Sequence, residues 1–159
     1  MTTNEKRISV IGVPMNLGAD RLGVDLGPVA IRYAGVKSRL ERIGYDFEDR
    51  GDIEVVRPEV ATDAHSNLKY LDEIVRVNTA LCEGVADIVN SGSFPLVLGG
   101  DHSIAIGTIA GAMQSKENLG VIWFDAHGDL NTAETSPSGN IHGMPLAVAL
   151  GLGHERLTA

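Results

Sequence analysis

"PLVLGGDHSIAIGTIAGAMQS", residues 95–115, reads as a buried strand turning through two glycines into a helix. "PLVL" is apolar without alternation, the pattern of a strand covered on both faces. Gly99 and Gly100 let the chain turn there and come close to a ligand. The same strand-then-helix order recurs on either side. "ISVIGVP" (8–14) reads as a strand and leads into a Gly-rich loop. Pro28 then suits the first turn of one helix, "PVAIRYAGVKSRLERIG", which Gly44 closes. "YDFEDRGDI" is a more polar strand near an edge. Residues 66–91 place Leu68, Leu71, Ile74, Val75, Leu81, Val85, Ile88 and Val89 at helical spacing, and Gly92 ends that helix. "GVIWFDAH" (120–127) reads as a fourth strand, and "GMPLAVALG" as a helix after a loop. Such alternation predicts an α/β fold, a three-layer α/β/α arrangement around a mainly parallel sheet. Ligands of such sheets bind outside the carboxyl ends of the strands. The chain puts its unusual residues there, in "GVPMNLGAD", "GGDHS" and "DAHGDLNT".

A length of 159 residues suits one α/β domain over 1–159. Hydrophobic and charged contents of 43% and 21% are those of an ordinary globular protein. The single cysteine, Cys82, excludes an internal disulfide framework and fits a reducing, cytoplasmic setting. No apolar run reaches the length of a membrane span or resembles a signal peptide. The net charge of −8 argues against nucleic acid and is compatible with a cationic substrate or metal ions.

The chemistry concentrates in "WFDAHGDLNT" (123–132). If the chain is still extended there, Asp125, His127 and Asp129 share one face. Unpaired charges in that position would cost several kcal/mol or more, so a positive centre is expected among them. His102, just past its own strand, adds a fourth donor. Oxygen and nitrogen donors without thiolate suit manganese, zinc or iron, and magnesium less comfortably. The alternative is a hydrogen-bonded polar cluster that only shapes loops. Asp125 and Asp129 neutralise one divalent ion; a second would need further acids, and no second cluster of that kind is visible. Asp20, Asp25, Asp49 and Asp52 lack a partner histidine or the right spacing.

Other residues carry plainer expectations. Arg32 is expected to pair with a carboxylate beneath the sheet. Trp123 should pack against a covering helix, and Cys82 should be a small buried apolar group. Asp101 is either an orienter of His102 or a structural hydrogen-bonding group. His65 and His154 read as surface residues, and Asn140 as a loop-shaping residue or a substrate contact.

"GGDHS", "WFDAHGDLNT", "SGNIHGMPLA" and "LGVDLGPVAIRYAG" together resemble the arginase branch of the ureohydrolases, in family order and over residues 8–153. The resemblance implies an arginase-like fold and a binuclear manganese (Mn2+) site that hydrolyses the guanidinium of L-arginine to L-ornithine and urea. It assigns His102 and Asp129 to one ion, His127 to the other, and Asp125 as a bridge. A hydroxide shared by the ions would attack the guanidinium carbon, and Asp129 would pass its proton to the departing amine. His142 matches the family's proton-shuttling histidine, for which a pKa near neutrality is useful. Asn131 and Ser138, with Ser136 less directly, match positions that hold the α-carboxylate. That loop favours arginase over agmatinase, whose substrate has no α-carboxylate. The remaining alternatives are a zinc deacetylase-type amidohydrolase and a non-catalytic metal-binding fragment. Homo-oligomers, trimers or hexamers, are implied for the complete protein.

Family members are much longer. Their later half carries an SxDxD-type motif with two more ligating aspartates, and farther on an acidic residue facing the guanidinium; neither occurs here. The expectation is therefore a truncated chain with later strands missing and an uncovered apolar edge. Its metal site near His102 should be weak, and its activity alone weak or nil.

Overall fold

The computed structural model describes residues 6–56, 67–116 and 118–158. Three parallel strands form its sheet: β1 (Arg7–Val13), β2 (Asp46–Asp52) and β3 (Phe94–Gly99), in the order β2-β1-β3. β1 is central because its residues are apolar toward both faces. Ile8 pairs with Phe47 and Phe94, and Val10 with Asp49 and Leu96. The polar β2 takes an edge, as its composition requires, and its register with β1 shifts between Val10 and Gly12.

The two crossovers leave the sheet on opposite faces. From β1 to β2 the chain passes through α1 (Gly27–Tyr33) and α2 (Val36–Arg42). On that face Ile8, Val10 and Leu98 pack with Leu40, Phe47 and Leu96. From β2 to β3 it passes through α3 (Leu71–Asn90), whose Leu71, Ile74, Val77, Leu81, Val85 and Ile88 bury against Ile11 and Val13. Successive side chains of β1 thus serve alternate layers, as the pleat dictates. α4 (Ala105–Ser115) lies on α3 at very short range. A Cβ on Gly107 would stand 2.4 Å from the Asn78 carbonyl oxygen, and one on Gly111 2.4 Å from that of Cys82. Asn78 fastens the pair: its amide donates to the Ile74 carbonyl at 2.9 Å, and its Oδ1 accepts from the Gly107 amide at 2.7 Å. α5 (Pro145–Ala149) and α6 (Glu155–Thr158) complete this layer.

The α/β reading with helices on both faces holds, but two expected elements do not. The long helix over 28–44 is two helices, broken where Gly35 takes φ +84°. The expected fourth strand does not form: residues 121–125 have no regular structure, with Ile122 85% and Phe124 96% exposed. A strand needs a partner's amides and carbonyls as well as an apolar run, and no described residue supplies that ladder. The helix expected from residue 66 begins at Leu71; residue 66 itself, like His65, lies outside the described residues. α6 had no signal in the sequence reading. Among the described residues no helix is long and apolar enough to cross a membrane.

Candidate metal centre at the mouth of the sheet

Because the chain leaves β1 toward one face and β3 toward the other, the loops after these neighbouring strands diverge and open a crevice between them. Hydrogen bonds hold the loop bases together: Asp101 N donates to Met15 O at 2.8 Å and Gly100 N to Val13 O at 3.2 Å. The approach requires glycine, since a Cβ on Gly100 would fall 2.0 Å from Met15 O. Asp101 accepts from the Ser103 amide at 2.9 Å and the Ala19 amide at 3.1 Å. It therefore caps the short 3-10 turn His102–Ile104 and ties down the first loop, which is the structural role. His102 opens that turn and overhangs the crevice.

Asp125 and Asp129 reach the same point from the other side. Asp129 holds a left-handed backbone (φ +47°), which aspartate tolerates better than most residues. Its carbonyl accepts from the amides of Leu146 (3.1 Å) and Ala147 (3.2 Å), two orphan donors at the start of α5. Anchored in this way, its buried carboxylate stands 2.8 Å from His102 Nδ1. Asp125 stands 2.9 Å from the same nitrogen. Its other oxygen accepts from the His127 amide at 2.8 Å and faces His127 Nδ1 at 3.1 Å. The amide bond, followed by the two imidazoles nearby, holds the Asp125 carboxyl below the usual carboxylate range. One ligand atom from each of His102, Asp125 and Asp129 lies within 4.8 Å of the others, the one group of this kind among the described residues. His127 is outside it, with a side chain 82% exposed.

The donor set fits a cation. A neutral imidazole has at most one proton on Nδ1, yet two carboxylates face that nitrogen, so their charge is not fully met by hydrogen bonding. A divalent ion matches two carboxylates in charge and accepts the oxygen–nitrogen set.

The rest of the sequence-derived set surrounds a cleft of about 550 Å3 next to the cluster. His127, Asn131, Ser136, Ser138, Asn140 and His142 line it together with the three cluster residues. Asn131 N donates to Gly143 O at 3.2 Å, and His142 N to Gly18 O at 3.1 Å. The Ser136 and Ser138 hydroxyls accept from the amides of Gly139 and Asn140 at 3.1 and 3.2 Å, which shapes the rim. Asn140 also donates to Ala19 O at 3.1 Å, as a loop-shaping residue would.

Outside the cleft, Arg32 pairs with Asp49 at 2.7 Å and Asp52 at 2.6 Å on β2. Cys82 is half-buried, receives the Gln114 amide at 3.2 Å, and has its thiol pKa pushed up by burial, as suits a small packing group. His154 is half-buried and accepts from the Arg156 amide at 3.3 Å. Trp123 borders a hollow that Ala105, Thr108 and Ile109 of α4 also line. Its indole stacks on the His102 imidazole, with centroids 4.6 Å apart and planes 24° from parallel. Sequence spacing carried no hint of this contact.

The fold and cluster define a parallel α/β domain with a carboxylate–imidazole metal-type site at its strand mouths. Residues 6–158 match the arginase family, and the chain belongs to it. It is 65% identical over 153 residues to the arginase of Brevibacillus brevis, covering 96% of this chain and 51% of that protein. The crystal structure of arginase from Bacillus caldovelox superposes with a TM-score of 0.89 at 60% identity, covering 96% of this chain and 52% of that one. That of Bacillus subtilis gives a TM-score of 0.88 at 58% identity, with 96% and 50% covered. The chain spans about half the length of the curated relatives it matches.

Proposed function

We propose that this chain carries the N-terminal part of a manganese-dependent, cytoplasmic arginase site acting on L-arginine. The observation that carries this reading is the convergence of His102 Nδ1 with carboxylate oxygens of Asp125 and Asp129 beside the cleft. His102, Asp125, Asp129 and the adjacent His127 would hold the metal. Manganese bound there would lower the pKa of water enough to provide hydroxide near neutral pH. Asp129 would take the proton of the attacking water and deliver it to the departing amine. His142, which lines the same cleft, would exchange that proton with solvent. Asn131, Ser138 and Ser136 would receive the α-carboxylate by hydrogen bonds, without a cation to repel the guanidinium. This is the feature that separates arginine from agmatine.

A second reading, metal binding without turnover, is favoured by the three converging donors, whose two carboxylates balance one divalent ion. Calorimetric titration with Mn2+, followed by urea release from arginine and agmatine, tests both. We expect weak, about one-site binding that falls at least ~10-fold in Asp129→Asn, in the range typical of lost metal-site groups. The chain alone should release little urea, and any urea should come preferentially from arginine. Preference for agmatine would overturn the α-carboxylate assignment, and tight two-site binding would overturn the one-ion reading.

A further inference from the structure

Trp123 packs on the cluster and has no part in the proposed chemistry. It is the only tryptophan of the chain, and it lies face to face with His102 at 4.6 Å. Resting on the metal reading above, we propose that Trp123 is a positioning residue: its indole fixes the plane of the His102 imidazole so that Nδ1 stays aimed at Asp125 and Asp129.

Three observations carry this. First, the His102 side chain is 37% exposed, so enclosure alone does not fix its rotamer. The short turn that bears it constrains the backbone only. Second, the contacts at Nδ1, at 2.9 and 2.8 Å, hold the ring by one edge, and a flat surface against its face adds a further restraint on rotation about the Cβ–Cγ bond. Trp123 supplies that surface. Third, the indole N–H is enclosed without an acceptor among the described residues. Tryptophan therefore serves there through its flat surface and not through its donor. Trp123 also lies two residues before Asp125, so one segment presents both a ligand-type carboxylate and the ring that orients its histidine. An ordered ligand loses less rotamer freedom on binding than a free one.

The test uses the whole chain, Mn2+ as probe, and the variants Trp123→Phe and Trp123→Ala, with thermal unfolding to establish that each is folded. Calorimetry should show Mn2+ binding weakened about 10-fold (~1.4 kcal/mol) in Trp123→Ala. In Trp123→Phe it should stay within about 3-fold of wild type, because phenylalanine keeps an aromatic face and needs no acceptor. NMR supplies a metal-free readout. The His102 ring protons should be shifted upfield by the stacked indole, less so by phenylalanine, and should return to ordinary histidine values in Trp123→Ala. Equal Mn2+ affinity in wild type and Trp123→Ala would overturn this proposal while leaving the metal reading intact. So would His102 ring signals without an upfield shift in wild type. No Mn2+ binding by the wild-type chain would overturn the metal reading, and the positioning role with it.

Discussion

Two apolar runs of similar composition meet different fates in this molecule. "ISVIGV" in β1 lies between two parallel partners, with Ile8, Val10, Ile11 and Val13 all at most 7% exposed. "VIWF" at 121–124 has no ladder among the described residues, and Val121, Ile122 and Phe124 are exposed. Hydrophobicity makes a segment suitable for a strand, but pairing makes it one. Backbone groups left without a ladder gain more from water than from burial. The 121–124 run is nonetheless anchored at Trp123, which stacks on His102, and farther along the chain the Asp129 carbonyl accepts from the first amides of α5. The chain therefore keeps the geometry of its polar cluster while its strand is absent.

Matched substitutions make the sharpest attack on this contrast. Val10→Asp puts a carboxylate in a fully enclosed site between two strands and a helix layer. Its burial costs several kcal/mol, comparable with the ~5–15 kcal/mol that stabilises a whole domain. Urea unfolding followed by circular dichroism should find no cooperative transition. Ile122→Asp places the same group at a position 85% exposed, and the unfolding free energy should change by no more than about 0.5 kcal/mol. A large loss in Ile122→Asp would show that the segment pairs in solution and that the two runs are alike after all.

This contrast also explains what could be read from residues alone. β1 and β3 were legible because continuous apolar runs between glycines suit strands buried on both faces, and the polarity of β2 marked it as an edge. His102, Asp125 and Asp129 stood out because ionisable groups at strand ends are costly unless they share a partner. The split at Gly35 was masked by apolar residues whose spacing continues through it; the signal was the glycine itself, which weakens a helix interior by ~1 kcal/mol. The absence of the expected fourth strand and the presence of the Trp123 stack were not legible, for a common reason. Both depend on which distant segment lies alongside, and local pattern carries no term for that.

A smaller effect is expected at the α3–α4 contact, a region held as firmly as β1 but by a polar device. Asn78→Ala leaves the Gly107 amide, now bonded at 2.7 Å, without its buried acceptor. The cost should be about 1–3 kcal/mol, read as a lower urea midpoint with an unchanged slope. Hydrogen exchange should open α4 more than β1. Uniform loss of protection across the sheet would mean that the two helix layers do not differ in this way.

Among the interlayer contacts, the smaller effect is expected where the lighter layer is tied to the sheet edge. Arg32 of α1 reaches two carboxylates of β2, bonding Asp49 through both Nε and a terminal nitrogen at 2.7 and 2.9 Å. The guanidinium, foremost through that hydrogen bonding, holds the Asp49 carboxyl below the usual carboxylate range, while partial burial opposes it. A depressed folded-state pKa gives stability that is present above the unfolded value near ~3.9 and is lost as pH falls through the folded one. Arg32→Met should therefore cost about 1 kcal/mol at pH 7, the scale of a well-formed but solvent-accessible ion pair. The gap from wild type should begin to close below pH ~4 and vanish only once the pH has fallen through the depressed folded-state value, where Asp49 is neutral even beside its partner. Added salt should narrow it at pH 7 as well, since half-exposed charges are screened. A gap that persisted at low pH and high salt would assign the role of Arg32 to hydrogen bonds that do not depend on a carboxylate charge, such as the one it donates to the Gly51 carbonyl at 3.2 Å. The layer over this face would then be held, like the opposite one at Asn78, by hydrogen bonding and not by charge.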